Sequence, residues 1–208
     1  PITYKKVVEK EAVKSEILSK RDYAIAKEVF LLIKQKKWKS AIKSTNRIKD
    51  KEFKNLVNWL YLKEKRNAAS FGEYTKFIEE NKDYPRINRL KYLAEHKINL
   101  SSTSASTIIG CFDTETPLSG FGEIILGESY ISIGETNKGI DLIKKGWITA
   151  DLSKTELRSF RKKYKKYLTK DDYIKRADYL AWENKYWDLK RMLRYLPKDE
   201  QLLYTARQ

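Results

Sequence analysis

Apolar residues recur along this chain at intervals of three and four almost from end to end, the spacing of one face of an α-helix. Tyr23, Ala26, Val29, Phe30 and Ile33 share one stripe; Trp38, Ala41, Ile42 and Thr45 share a second; Phe53, Leu56, Val57, Leu60 and Tyr61 a third. Phe71, Tyr74, Phe77 and Ile78 form a fourth, which Pro85 stops because proline cannot continue a helix, and Ile87, Leu90, Leu93 and Ala94 open the next. Ser153-Lys-Thr-Glu156 is a capping box, and Thr169-Lys-Asp-Asp172 resembles one with Asp at the third helical position. Leu157, Phe160, Tyr164 and Leu168 follow the first cap and Tyr173, Ala177, Leu180 and Ala181 the second; Leu189, Met192, Leu193 and Leu196 complete the set before Pro197.

This pattern predicts an all-α fold of short helices joined by brief connections, hence antiparallel helix pairs stacked side by side. Stacks of that kind form solenoids, in which each pair buries its face against its neighbours. Trp38 and Trp187 open loosely similar segments, but the fixed 34-residue tetratricopeptide period is absent. The expectation is an irregular, TPR-like α-solenoid or superhelix over residues 1–208. A flexible connection is expected near 99–107, where the serines and threonines of residues 101–107 cluster. Seven of the eight glycines lie between Gly110 and Gly146. Glycine inside a helix costs about 1 kcal/mol against alanine, so these positions mark turns or close helix crossings.

Composition narrows the function classes without naming a reaction. The net charge is +16, carried by 33 Lys and 11 Arg against 28 acidic residues. Phosphate and base recognition leans on the planar Arg fork, so a Lys-dominated excess reads first as solvated helix surface and second as a face for a polyanion. The sharpest basic feature is the run of residues 158–167: Arg158, Arg161, Lys162 and Lys165 fall on one helical face, with Phe160, Tyr164 and Leu168 opposite. These four are the candidate polyanion-facing strip. Trp59, Trp147, Trp182 and Trp187 sit with apolar stripes and read as core; any that prove exposed are positioned to stack on sugars.

One cysteine, Cys111, excludes an internal disulfide and a cysteine-based metal site, and one histidine, His96, excludes constellations of several imidazoles. Cys111 beside Phe112 reads as a small buried hydrophobe, and His96 as a partly exposed helix residue. Asp113 with Glu115, and Asp171 with Asp172, are adjacent carboxylates; the first pair falls in a loop and the second in a helix's first turn, where acids favour the helix dipole. The longest uncharged stretch, residues 98–112, is broken by Ser and Thr and is too short to span a bilayer, which needs about 20 apolar residues. The chain starts at Pro1 without a signal-peptide pattern and ends inside an amphipathic segment, so both ends read as cut from a longer, processed chain.

Several short motifs occur in a distinctive order. Asn55-Leu-Val-Asn-Trp-Leu-Tyr-Leu62 precedes Phe71-Gly-Glu-Tyr-Thr-Lys-Phe-Ile-Glu-Glu-Asn81 and Asp83-Tyr-Pro85; Leu93-Ala-Glu95 and Pro117-Leu-Ser-Gly-Phe-Gly122 follow. Trp147, Asp151-Leu-Ser153, Leu168-Thr-Lys-Asp171 and Arg191-Met-Leu-Arg-Tyr-Leu-Pro197 complete the series. Taken in this order, over residues 38–207, the chain resembles the N-terminal superhelical region of bacterial soluble lytic murein transglycosylases. The resemblance implies a periplasmic setting and a parent enzyme that cleaves the MurNAc–GlcNAc bond of peptidoglycan without water or cofactor, leaving an anhydromuramyl sugar. It implies that the helical region is a curved or ring-shaped platform beside a lysozyme-like C-terminal catalytic domain, whose single Glu acts as acid and then base. The implied partners are peptidoglycan glycan strands and the chain's own catalytic domain.

Glu128-Ser-Tyr-Ile131 superficially resembles that family's Glu-Ser pair, but the Gly-Leu-Met-Gln run expected after it is replaced by Ser132-Ile-Gly-Glu-Thr-Asn137, and the only methionine, Met192, lies elsewhere. Residues 120–134 instead match the superhelical region's Leu-Thr-Gly helix, with Ser119 in place of its Thr. Glu128 is therefore read as a helix-surface carboxylate, and no catalytic, cofactor or metal residue is assigned. The rival expectation is a free-standing helical-repeat binding module for nucleic acid or a protein partner, with nucleic-acid affinity falling steeply with salt.

Overall fold

A computed structural model describes residues 15–206 apart from 65 and 114. Among these residues all regular secondary structure is helical: α1 (Lys20–Lys34), α2 (Trp38–Thr45), α3 (Lys51–Lys63), α4 (Phe71–Glu80), α5 (Ile87–Glu95), α6 (Ala105–Cys111), α7 (Gly120–Ser132), α8 (Thr136–Thr149), α9 (Lys154–Tyr164), α10 (Lys170–Trp182), α11 (Tyr186–Leu193) and α12 (Lys198–Ala206). They divide into two compact units, Pro1–Asn67 and Ala68–Gln208. The first packs Ile25, Val29, Ala41, Ile48, Phe53 and Val57 into one core. The second has a small core around Ile98, Ile108 and Ile125 and a large one centred on Trp147, with Ile143, Phe160, Ala177, Leu180 and Met192.

The two units divide at Asn67; the stretch expected as a connection near 99–107 lies between α5 and α6, and only its last residues are helical. There, Ser104 caps α6 by accepting from the Thr107 amide at 3.2 Å, and Ala105, Ser106 and Thr107 form its first turn. Serine and threonine clusters read as loop, yet the same hydroxyls are the preferred helix caps, and the cap prevails at this position.

A recurrence emerges that the side-chain pattern conceals. α1, α4, α7 and α10 begin at residues 20, 71, 120 and 170, at intervals of 51, 49 and 50. Each is preceded by a hydroxyl cap, Ser19, Ser70, Ser119 or Thr169, whose oxygen accepts from the amide three residues on, at 2.9–3.4 Å. The turns leaving α1, α7 and α10 also share one geometry. Lys36, Gly134 and Asn184 take φ values of 57°, 95° and 54°. The next amide then closes a six-residue ring: Lys37 to the Leu32 carbonyl at 2.9 Å, Glu135 to Tyr130 at 3.0 Å and Lys185 to Leu180 at 2.8 Å. The chain is thus written in three-helix segments of about 50 residues, one in the first unit and three in the second. α4 and α5 depart from the pattern: their connection runs through Pro85 and a left-handed Arg86.

Of the glycines expected to mark turns or crossings, Gly110 does neither, lying inside α6 where a Cβ would meet nothing within 4 Å; others do both. Gly134 supplies a left-handed turn, while Gly120 and Gly127 on α7 face Gly146 and Gly139 on α8. A spacing of seven residues returns to the same face after two turns, so the antiparallel helices meet backbone to backbone at two levels. A side-chain ion pair, Lys145 to Glu123 at 2.6 Å, spans the same two helices.

Candidate functional site

α9 follows from its capping box: the Ser153 hydroxyl accepts from the Glu156 amide at 3.3 Å, and the Glu156 carboxylate accepts from the Ser153 amide at 2.7 Å. Leu157, Phe160 and Tyr164 are buried, which turns Arg158, Lys162 and Lys165 outward. None of these three forms an ion pair among the described residues. Arg161 does not join them. It lies one turn beyond Leu157, at the edge of the buried stripe. Its guanidinium sits 3.4 Å from the Tyr195 ring centre, and its Nε donates to the Tyr173 hydroxyl at 3.3 Å. Three of the four expected cations therefore face solvent, and the fourth packs α9 against its neighbours. The intervening Lys163 pairs with Glu128 at 2.6 Å; Glu128 is not the open helix-surface carboxylate expected, since its side chain is only 14 % exposed and lines a cavity of about 400 Å³ with Ile131, Lys163, Tyr164 and Tyr167, where the Lys163 ammonium neutralises it.

The acid that composition did not reveal is Glu95, 4 % exposed at the end of α5. Its Oε1 accepts from the Leu118 amide at 2.6 Å; its Oε2 accepts from the Ser119 amide at 2.7 Å and from the Ser119 hydroxyl. The carboxylate thus sits at the N-terminus of α7, where backbone N–H groups lack helical partners and the dipole favours an anion. Gly122 makes the approach possible: a Cβ there would lie 2.5 Å from Glu95 Oε2. Glu95 also lines a cavity of about 210 Å³ with Phe71, Phe112, Leu118 and Lys91. Since both its oxygens are engaged, Glu95 ties α5 to α7 instead of presenting a proton to the cavity.

Burial raises the Glu95 pKa, against the lowering effect of the Ser119 and Leu118 hydrogen bonds. The folded state therefore holds this proton to higher pH than the unfolded chain, whose value is near 4.5. Glu95 contributes most to stability below that value and progressively less as pH rises through the native pKa. Replacing Glu95 with Gln is expected to flatten this part of the pH–stability curve while lowering stability by about 1–3 kcal/mol, because an amide NH₂ must face backbone donors. Urea unfolding of both proteins from about pH 4 to 8 checks this, and parallel slopes would contradict it.

The remaining single-residue candidates have ordinary places. The His96 ring stacks on Phe121, 5.2 Å between centres, and its Nδ1 lies 2.9 Å from the Tyr92 carbonyl, so Nδ1 carries a proton. Cys111 corrects an expectation: it is exposed, because it ends the short helix α6, whose buried residue is Ile108. Desolvation and, behind it, the Glu79 carboxylate push its pKa up, so the thiol stays protonated at neutral pH. Glu115 pairs with Lys91 at 2.6 Å, Asp171 with Lys175 at 2.7 Å, and Asp172 returns the Thr169 cap at 2.7 Å. Among the described residues no group of three His, Cys, Asp or Glu side chains could hold a metal ion, and no helix is long and apolar enough to cross a membrane.

The tryptophans divide sharply. Trp147 is fully buried, stacked on Phe160 at 5.0 Å and donating from Nε1 to the Asp172 carbonyl at 3.0 Å. Trp59 is half-buried, with the Lys63 ammonium 3.6 Å from its ring centre. Trp182 and Trp187 are 86 % and 67 % exposed, against the expectation that both are core. Trp182 is the last residue of α10 and Trp187 the second of α11, so their stripes have run off the packed face at the helix ends. The surface of the second unit therefore carries unpaired cations on α9 and bare indoles flanking the α10–α11 turn.

No family model matches the chain, and neither does any curated protein or solved structure.

Proposed function

We propose that this chain is the non-catalytic superhelical scaffold of a soluble lytic transglycosylase, its three-helix segments stacking into an irregular solenoid that orients murein glycan strands. On this reading the parent enzyme works in the periplasm, and its cutting acid belongs to a catalytic domain outside these residues. The observation that carries the reading is the outward row of Arg158, Lys162 and Lys165, free of ion pairs among the described residues. Exposed cations of this kind attract the carboxylates that stud an anionic polymer such as murein with its stem peptides, raising the encounter rate and setting orientation more than affinity. The ordered motifs of residues 38–207 supply the family.

Incubation with purified sacculi tests the proposal. The protein is expected to sediment with them, to release as salt rises, and to lose binding severalfold when Arg158, Lys162 and Lys165 are all replaced by Gln. No soluble anhydromuropeptides are expected. Their appearance would place a catalytic acid within this chain, and failure to sediment at low salt would remove the murein reading. Duplex DNA as competitor separates the rival module: displacement by DNA with a steep salt dependence marks a nucleic-acid binder.

A further inference from the structure

The exposed apolar surface nearby in sequence, on α12, is aliphatic: Leu202 and Leu203 are 72 % and 45 % exposed. The α10–α11 surface is aromatic instead, and polar groups are built into it. Trp182 lies one helical turn beyond Asp178 on the same face of α10, and the two line one shallow depression with Tyr179 and Ala181. Asp178 is held in place, its Oδ1 accepting from the Tyr204 hydroxyl at 2.5 Å, while Oδ2 has no partner among the described residues. Beyond the turn, Tyr186 and Trp187 pack edge to face, 5.0 Å between centres, with the Lys190 ammonium 5.8 Å and 5.6 Å from their rings. The left-handed Asn184 and the Lys185-to-Leu180 bond fix that turn, so its flanking rings are presented by rigid helix ends.

We infer that Trp182 with Asp178 forms a stacking platform for a saccharide chain, with the Tyr186–Trp187 pair on the far side of the turn as a second stacking position. Sugar rings present an axial C–H face and a rim of hydroxyls. A bare indole fits the first, and the free carboxylate oxygen of Asp178 accepts from the second. Lys190 adds a cation at the edge for an acidic substituent. The inference rests on the glycan reading above and gives it a location, separate from the α9 cations.

Titration with a soluble N-acetylglucosamine oligomer, followed by tryptophan fluorescence and calorimetry, tests it apart from that reading. Wild type is expected to bind. Trp182→Ala and Trp187→Ala are expected to weaken binding roughly tenfold each, about 1.4 kcal/mol in affinity, and Trp182→Phe to restore part of the loss. Because both indoles face solvent, the melting temperatures are expected to stay close to wild type. Absence of oligomer binding by wild type, or equal binding by wild type and both variants, overturns the platform. A change in sedimentation of the alanine variants alone would also overturn it, marking a protein interface instead. Sacculus binding without oligomer binding would leave the scaffold reading intact and sink only the platform; oligomer binding lost in the variants, with no binding to sacculi, would do the reverse.

Discussion

Replacing Arg176 with alanine is expected to lower the unfolding free energy by about 3–5 kcal/mol. Arg176 is only 2 % exposed, and its guanidinium closes the C-terminus of α8: NH1 donates to the Trp147 carbonyl and NH2 to the Ala150 carbonyl at 2.9 Å. Carbonyls at a helix end have no intrahelical donor, and the macrodipole there is negative, so a buried cation suits the position twice over. The same guanidinium lies 4.7 Å from the Trp147 ring centre, in the middle of the large core. Alanine would strand buried acceptors and open a void beside the indole. Burial lowers the Arg176 pKa to about 10, which still leaves it charged at neutral pH. Lysine, a point charge without the fork, is expected to recover less than half of the loss. Denaturant unfolding followed by circular dichroism is the measurement, and a loss below about 1 kcal/mol would show that the carbonyls find other partners.

The second large effect is expected at Gly139. A Cβ there would come within 2.5 Å of the Gly127 carbonyl oxygen, and one at Gly127 within 2.6 Å of the Gly139 carbonyl oxygen. The obstruction is backbone on both sides, which cannot rotate away as a side-chain tip can. Gly139→Val is expected to force α7 and α8 apart at a cost of about 3 kcal/mol or more, despite removing a residue that disfavours helix. Gly72→Ala provides the contrast, since a Cβ there meets nothing within 4 Å. It is expected to be neutral or to stabilise by up to about 1 kcal/mol. If both substitutions behave alike in thermal unfolding, the glycine pairs do not set the helix separation.

Much of the fold was legible because helix signals are local. The boxes at Ser153 and Thr169 and the stripe of Phe71 to Ile78 each lie within a few residues, and each marks a helix of the structure, although α4 ends at Glu80, before Pro85 is reached. The three-helix recurrence is not legible in the sequence, for the opposite reason. Its constant elements are a hydroxyl cap, Ser three times and Thr once, and a left-handed turn filled by Lys, Gly or Asn, marks too small and too widely spaced to stand out among the many serines and lysines. Arg161 shows the limit of a two-sided helical wheel: a residue at the border of the stripe can turn either way, and here Tyr195 draws it inward. Trp182 and Trp187 are exposed against expectation because periodicity reports which face a residue occupies, not whether another helix reaches that end. Glu95 was invisible as a buried acid, since its partners Leu118 and Ser119 are separated from it by more than twenty positions of intervening chain.

The recurrence every fifty or so residues also bears on how such a chain lengthens and comes apart. A segment whose cap, turn and first helix are settled by neighbours in sequence can be copied or deleted whole, with disturbance confined to the seams. Amide exchange should accordingly subside in blocks instead of all at once, with the slowest protons where α7 and α8 touch.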